Sequence, residues 1–286
     1  MSTLLVTGTS GHLGRLVVEA LLERGVPASD VVATARNVDD VADLAARGVV
    51  VRRADYTDPA SLKEAFAGVD RALLVSSSAV GARLDQHRNV ITAAAEAGID
   101  LLGYTSITHA DTSSMLLAGE HLATEKLLAE SGLPIVLLRN SWYLENYTGQ
   151  IPVALEHGAV LGAAGEGRVS AATRADYAAA AAAVLADGDH AGRVYELGGD
   201  TAFTLAEYAA ELAAASGRAV AYQDLSTEDY AAALVAAGLP EGYAQVLADS
   251  DRGLAAGDLF TDSGDLSRLT GRPTTTMAEA VRAALA

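Results

Sequence analysis

The sequence predicts an α/β protein: a doubly wound parallel sheet with a smaller C-terminal α+β lobe. Three observations carry this reading. Short apolar, β-branched runs alternate with helix-spaced stretches through the first half. A glycine loop joins the first run to the first helical stretch, and the regular alternation lapses after Trp142.

The elements follow in order. "TLLVT" reads as a strand, and "HLGRLVVEALLERG" as the helix after it, because Leu13, Leu16, Val17, Ala20 and Leu21 repeat at helical spacing. "DVVATAR" and "GVVVRRAD" are the next strand runs, separated by "DDVADLAARG", a helical pattern that stops at Gly48. "PASLKEAFAG" opens on Pro59, whose missing N–H costs nothing in a first helical turn, and closes on Gly68. "DRALLVSS", "DLLGYTS" and "PIVLLRN" complete six strand runs. Beyond Trp142 comes the glycine-rich, irregular "GAVLGAAGEGRVS". Two strand-like pieces follow, "RVYELGG" and "AVAYQDLS", with the helix former "ADYAAAAAAVLAD" before them. The expected division is a dinucleotide-binding domain over 1–150 and a substrate-side lobe over 151–286, with 172–200 able to return to the first domain.

Composition narrows the chemistry. A chain of 286 residues, half of them apolar, can bury a sizeable core. Its net charge of −17 repels polyanions, which argues against nucleic acid and anionic membrane surfaces as partners. With no cysteine there is no disulfide, thiolate nucleophile or iron–sulfur cluster, and the six histidines lack metal-binding spacing, so no metal site is expected. No signal-peptide pattern or membrane-length apolar run occurs, and the expected location is the cytoplasm.

The loop G-T-S-G-H-L-G places Gly8, Gly11 and Gly14 between a strand and a helix. A dinucleotide site needs glycines there for a tight turn, for backbone approach to the pyrophosphate and for helix-to-strand packing. The spacing is the form seen in short-chain dehydrogenases and reductases. At the end of the second strand run, where an NAD enzyme places an acid for the ribose 2′-hydroxyl, this chain has Arg36, which suits a 2′-phosphate. "SITHAD" brings Ser106, His109 and Asp111 close in sequence, but no G-x-S-x-G elbow accompanies them and a hydrolase triad is not expected.

Taken together, "TGTSGHLG", "RRADYTDPASL", "LLVSSSAVGARLDQHRNVI", "EHLATEKLLAESG", "LLRNSWYLENY" and "LADSDRG" resemble the NmrA-like atypical short-chain dehydrogenase/reductase group, and within it the bacterial NAD(P)H quinone oxidoreductase 2 type. The resemblance spans nearly the whole chain. It implies a Rossmann domain and a flavin-free, NADPH-dependent reductase that passes a hydride to a small quinone in a cleft beside a small C-terminal domain. Gly8, Thr9, Ser10, Gly11, His12, Leu13 and Gly14 would wrap the pyrophosphate, Arg36 the 2′-phosphate, and Asp55 would meet the adenine. Ser76, Ser77 and Ser78 would line the cofactor channel. Asn140, Ser141, Trp142, Tyr143, Leu144 and Glu145 would form the nicotinamide loop, with His109, Tyr143, Asn146 and Tyr147 as substrate contacts. The oligomeric state, monomer or homodimer, is left open.

The wider superfamily acts through a Ser, a Tyr and a Lys four residues after the Tyr. Ser106 and Lys126 suit two of these places, with Tyr143 as a further catalytic candidate, but Leu122 stands where the tyrosine is expected. A ketone develops an alkoxide of conjugate-acid pKa about 16. A quinone develops a phenolate of about 10, which lowers the demand on a proton donor by roughly 8 kcal/mol. A quinone reductase can therefore lack the acid. Two other readings of its absence are a reductase of triphenylmethane or azo-type electrophiles and a non-catalytic NADP(H)-binding redox sensor.

Overall fold

A computed structural model describes residues 2–286. Seven strands form one sheet. In chain order they are β1 (Leu4–Val6), β2 (Val31–Ala35), β3 (Val50–Arg53), β4 (Arg71–Leu74), β5 (Leu101–Ile107) and β6 (Ile135–Asn140), then, after the separate strand β7 (Ala159–Gly162), β8 (Val194–Leu197). Their spatial order is β3-β2-β1-β4-β5-β6-β8 and every pairing is parallel. The winding reverses between β1 and β4, which opens a crevice at their C-terminal ends, where open α/β sheets bind ligands.

Alternate side chains serve opposite faces. Leu4, Val6, Ala33, Leu73 and Val136 pack with helices α1 (His12–Glu23) and α8 (Arg174–Ala186), while Leu5, Val32, Ala72, Leu74 and Leu137 pack on the other face. That second face is covered by α3 (Pro59–Phe66), α4 (Arg83–Ala97) and α5 (Leu116–Glu130). Burial on both sides is why these strands read as apolar runs. The stretch expected to be helical before Gly48 begins as a 3-10 turn, with the Asn37 side chain accepting from the Asp39 N–H, and continues as the short α2 (Ala42–Ala46).

The chain leaves the sheet after β6 for α6 (Leu144–Thr148) and α7 (Ile151–His157). It returns for α8, which packs on α1, and for β8, which pairs with β6. The lobe is completed by α9 (Leu205–Ser216), β9 (Ala221–Asp224), α10 (Thr227–Ala236) and α11 (Glu241–Ala255). After α12 (Asp265–Thr270), which lies against α8, comes α13 (Met277–Leu285). Within "GAVLGAAGEGRVS" the structure holds β7, which pairs in parallel with β9. Four residues with one distant partner carry no alternation for a sequence reader to find. No described helix is long and apolar enough to cross a membrane.

Candidate active site

A cleft of about 650 Å³ runs over the C-terminal ends of β1, β2, β3, β4, β5 and β6. A second hollow of about 560 Å³ lies between α10 and α11, lined by alanines, Val235 and a few surface polar groups, away from the sheet.

The glycine loop forms one end of the cleft. Gly8 has a left-handed backbone, φ +63°, and its carbonyl accepts from the Gly11 N–H at 3.0 Å. Thr9 lies beneath, with its N–H and hydroxyl both donating to the Thr34 carbonyl. Gly14 is the tightest point: a Cβ there would lie 2.5 Å from the Gly8 oxygen, against backbone that cannot give. Helix α1 then starts at His12 with no side-chain cap and no acid in its first turn. Its partial positive charge is left for an anion. Arg36, exposed on the same cleft, stands near Asp55. The Asp55 carboxylate is held below its usual pKa by the Thr57 N–H and hydroxyl, with help from the Arg36 charge. These features, a close-packed glycine cradle, a free helix start and a nearby guanidinium, fit the phosphates of NADPH.

In the middle of the cleft lie Ser76, Ser77 and Ser78, and the first two are held from below, the Ser76 N–H by Thr105 Oγ1 at 2.8 Å. The Ser77 N–H donates to His87 Nε2 at 2.9 Å, and the Ser77 carbonyl accepts from Arg83 Nε at 2.7 Å. His87 Nδ1 therefore carries the hydrogen and donates to Thr124 Oγ1 at 2.9 Å. Burial above all, and then the Arg83 charge, lowers the His87 pKa to about 3, so the ring is neutral.

At the β5 end the expected arrangement needs correcting. Ser106 lines the cleft, but its hydroxyl donates to Glu125 Oε1 at 2.6 Å. The same carboxylate takes a fork from Arg139 on β6, at 2.9 and 2.6 Å, and Arg139 also donates to Asp111 and Glu196. Lys126 does not join this group. It is exposed, because the buried face of α5 is made by Ala118, His121, Thr124, Glu125 and Leu128, and one residue further on turns the side chain about 100° away. The inward pair at helical spacing is His121 and Glu125, and Leu122 is not the position that faces the site.

Beyond β6, Asn140, Ser141, Trp142, Tyr143 and Asn146 line the cleft. Asn140 Oδ1 is buried there without a partner. Arg174 stacks 4.6 Å from the centre of the Tyr143 ring. Leu144 turns into the lobe core, and Glu145 caps the Arg174 N–H outside the cleft. Two expected substrate contacts lie elsewhere. The His109 ring Nε2 is tied to the Phe260 carbonyl at 2.7 Å, and Tyr147 packs among Phe203 and Tyr208 in the lobe. The sequence reading also passed over Arg83, Gln86, Leu117, His121, Arg174 and Tyr243, all on the cleft. Of these only His121 had a local signal, its four-residue spacing to Glu125.

Residues 8–188 match the protein family described as NAD(P)H-binding. Quinone oxidoreductase 2 of Escherichia coli (strain K12) is 56% identical over 96% of this chain and 96% of its own. The solved structure of the Escherichia coli NADPH-dependent quinone oxidoreductase complexed with NADPH superposes with a TM-score of 0.97 at 54% identity, covering 99% of this chain and all of that one. The Citrobacter sp. triphenylmethane reductase complexed with NADP(H) reaches 0.93 at 38% identity, covering 98% and 99%. With its cofactor half matched and its likeness running end to end, this chain belongs to the NAD(P)H-binding family that includes quinone oxidoreductase 2.

Proposed function

We infer that this chain is a flavin-free, NADPH-dependent quinone reductase that makes hydroquinone in one two-electron step. The observation that carries the reading is the uncapped start of α1 facing Arg36 across a glycine cradle, in a chain 56% identical to a quinone oxidoreductase. When bound, NADPH supplies the hydride. Gly8 to Gly14 and the start of α1 hold the pyrophosphate, Arg36 the 2′-phosphate, and the orphaned Asn140 Oδ1 offers an acceptor to the nicotinamide amide. Tyr143, fixed under Arg174, and Trp142 shape the nicotinamide loop, and Asn146 with Tyr243 borders the substrate side.

The absence of a strong acid at the β5 end suits this chemistry. Ser106 has committed its hydrogen to Glu125, and Glu125 is occupied by Arg139. A reaction ending in a phenolate needs hydrogen-bond donors rather than a proton donor of high strength. Triphenylmethane-type acceptors form a second reading, favoured by the same lack of an acid and by the 38% identical reductase. Its partner is a small quinone, and the location that goes with this reading is the cytoplasm.

Consumption of NADPH, followed by absorbance with a benzoquinone and with a matched ketone, tests the inference. Rapid loss with the quinone and almost none with the ketone is expected. Stable NADPH with both would overturn it in favour of a binding protein.

A further inference from the structure

His121 lies buried on the inner face of α5 and lines the cleft. Behind it, the hydroxyl of the buried Tyr104 is 2.8 Å from Nδ1. No described protein group bonds its Nε2. Burial, with Arg83 and His87 nearby, pushes the ring pKa well down, so His121 is a neutral imidazole at neutral pH. Where the Tyr104 hydroxyl donates to Nδ1, the ring's own hydrogen lies on Nε2; the opposite tautomer, with Nδ1–H donating to the phenol, would turn this bond around. Meanwhile the hydroxyl at the β5 end has no hydrogen to spare, since Ser106 donates to Glu125.

We propose that the Nε2–H of His121 donates a hydrogen bond to the quinone oxygen on which negative charge develops, with Tyr104 fixing the tautomer that makes this possible. The proposal rests on the quinone-reductase reading. No bond of His121 breaks: the ring keeps its hydrogen, and the product anion, a phenolate of pKa about 10, takes its proton from water after leaving. A neutral imidazole can stabilise a developing oxyanion in this way without acting as an acid. The inward i, i+4 pair of α5 thereby combines a donor, His121, with a carboxylate, Glu125, that holds Ser106 and Arg139 in place.

The test compares wild type, His121→Phe and His121→Gln, whose side-chain amide retains an N–H. Three quantities are measured: kcat on a benzoquinone, the dissociation constant of NADPH, and that of para-nitrophenolate, a stable phenolate, in the presence of NADP. His121→Phe should lower kcat by about 10- to 100-fold and weaken phenolate binding by about tenfold, while NADPH binding stays within about twofold. His121→Gln should recover most of both losses. Wild-type turnover and phenolate affinity in His121→Phe would overturn the proposal. If that variant fails to fold, long-range proton–nitrogen NMR correlation on the wild-type ring decides. An Nε2–H tautomer perturbed by para-nitrophenolate is expected, and an Nδ1–H tautomer overturns it. A wild-type protein that binds the phenolate through His121 yet reduces no quinone would refute the functional reading instead.

Discussion

On the sheet side of the cleft, polar groups are held by partners on other elements: Ser77 by His87 and Arg83, Ser106 by Glu125, Glu125 by Arg139. Facing them, the small lobe offers Tyr243, which is 54% exposed, and keeps Tyr147, Tyr208 and Phe203 packed among themselves. One wall is set before any ligand arrives; the other offers an exposed side chain that can rearrange. Such a division suits a family in which cofactor recognition is shared and the acceptor differs, as the quinone and triphenylmethane reductases show.

The largest effect should come from breaking the rigid wall at its tightest point. Gly14→Ala drives a Cβ against the Gly8 carbonyl, and calorimetric titration should show NADPH binding lost by more than about 100-fold. Gly119→Ala, with nothing within 4 Å of the added carbon, is the control and should bind normally.

Next in size is a contrast in pH response. His87, on the sheet side, has its pKa lowered to about 3, below its unfolded value near 6.5, so its contribution is complete above pH 6.5 and is lost as the pH falls toward 3. Asp251, in the lobe, is raised by burial to about 6 and works the other way: its cost appears as the pH rises from about 4 to 6. Asp251→Asn removes the opposing partner. Its stability at pH 7 should rise by of order 2 kcal/mol, and its melting temperature should fall more steeply than that of wild type between pH 7 and 4. Parallel melting curves for the two proteins across that range would remove the contrast.

A change of comparable size, confined to cofactor binding, is expected from Arg36→Ala, which removes a charge-assisted contact of about 1.5 to 3 kcal/mol. NADPH should bind about 10- to 100-fold more weakly and NADH almost unchanged; equal losses for both would remove the 2′-phosphate assignment. The smallest effect is that of Lys126→Ala, an exposed side chain on the outer face of α5. Turnover and melting temperature should stay at wild-type values, and a loss of turnover would bring that lysine back to the cleft.

What could be read from sequence was local. Parallel strands buried on both faces appear as apolar runs, and the glycine loop with Arg36 needs only its neighbouring strands to be recognised. Reading α5 one residue out of phase put Leu122 and Lys126 where His121 and Glu125 stand. Nothing near them in sequence corrects this, because Glu125 is held inward by a fork from Arg139 on β6. His109 was misplaced for the same reason, since its ring is held by Phe260, 151 residues away. β7 has its partner in β9, beyond α8, β8 and α9.

The path of the chain between sheet and lobe limits how the cleft can open. The polypeptide goes out after β6, back for α8 and β8, out to the lobe again, back for α12 and out for α13. A body stitched across its seam so many times has no single hinge about which to swing, because each crossing would have to bend together. For the same reason the cofactor half is no detachable cassette: cut after residue 150, it would leave the β6 edge unpaired and the apolar side of α1 uncovered.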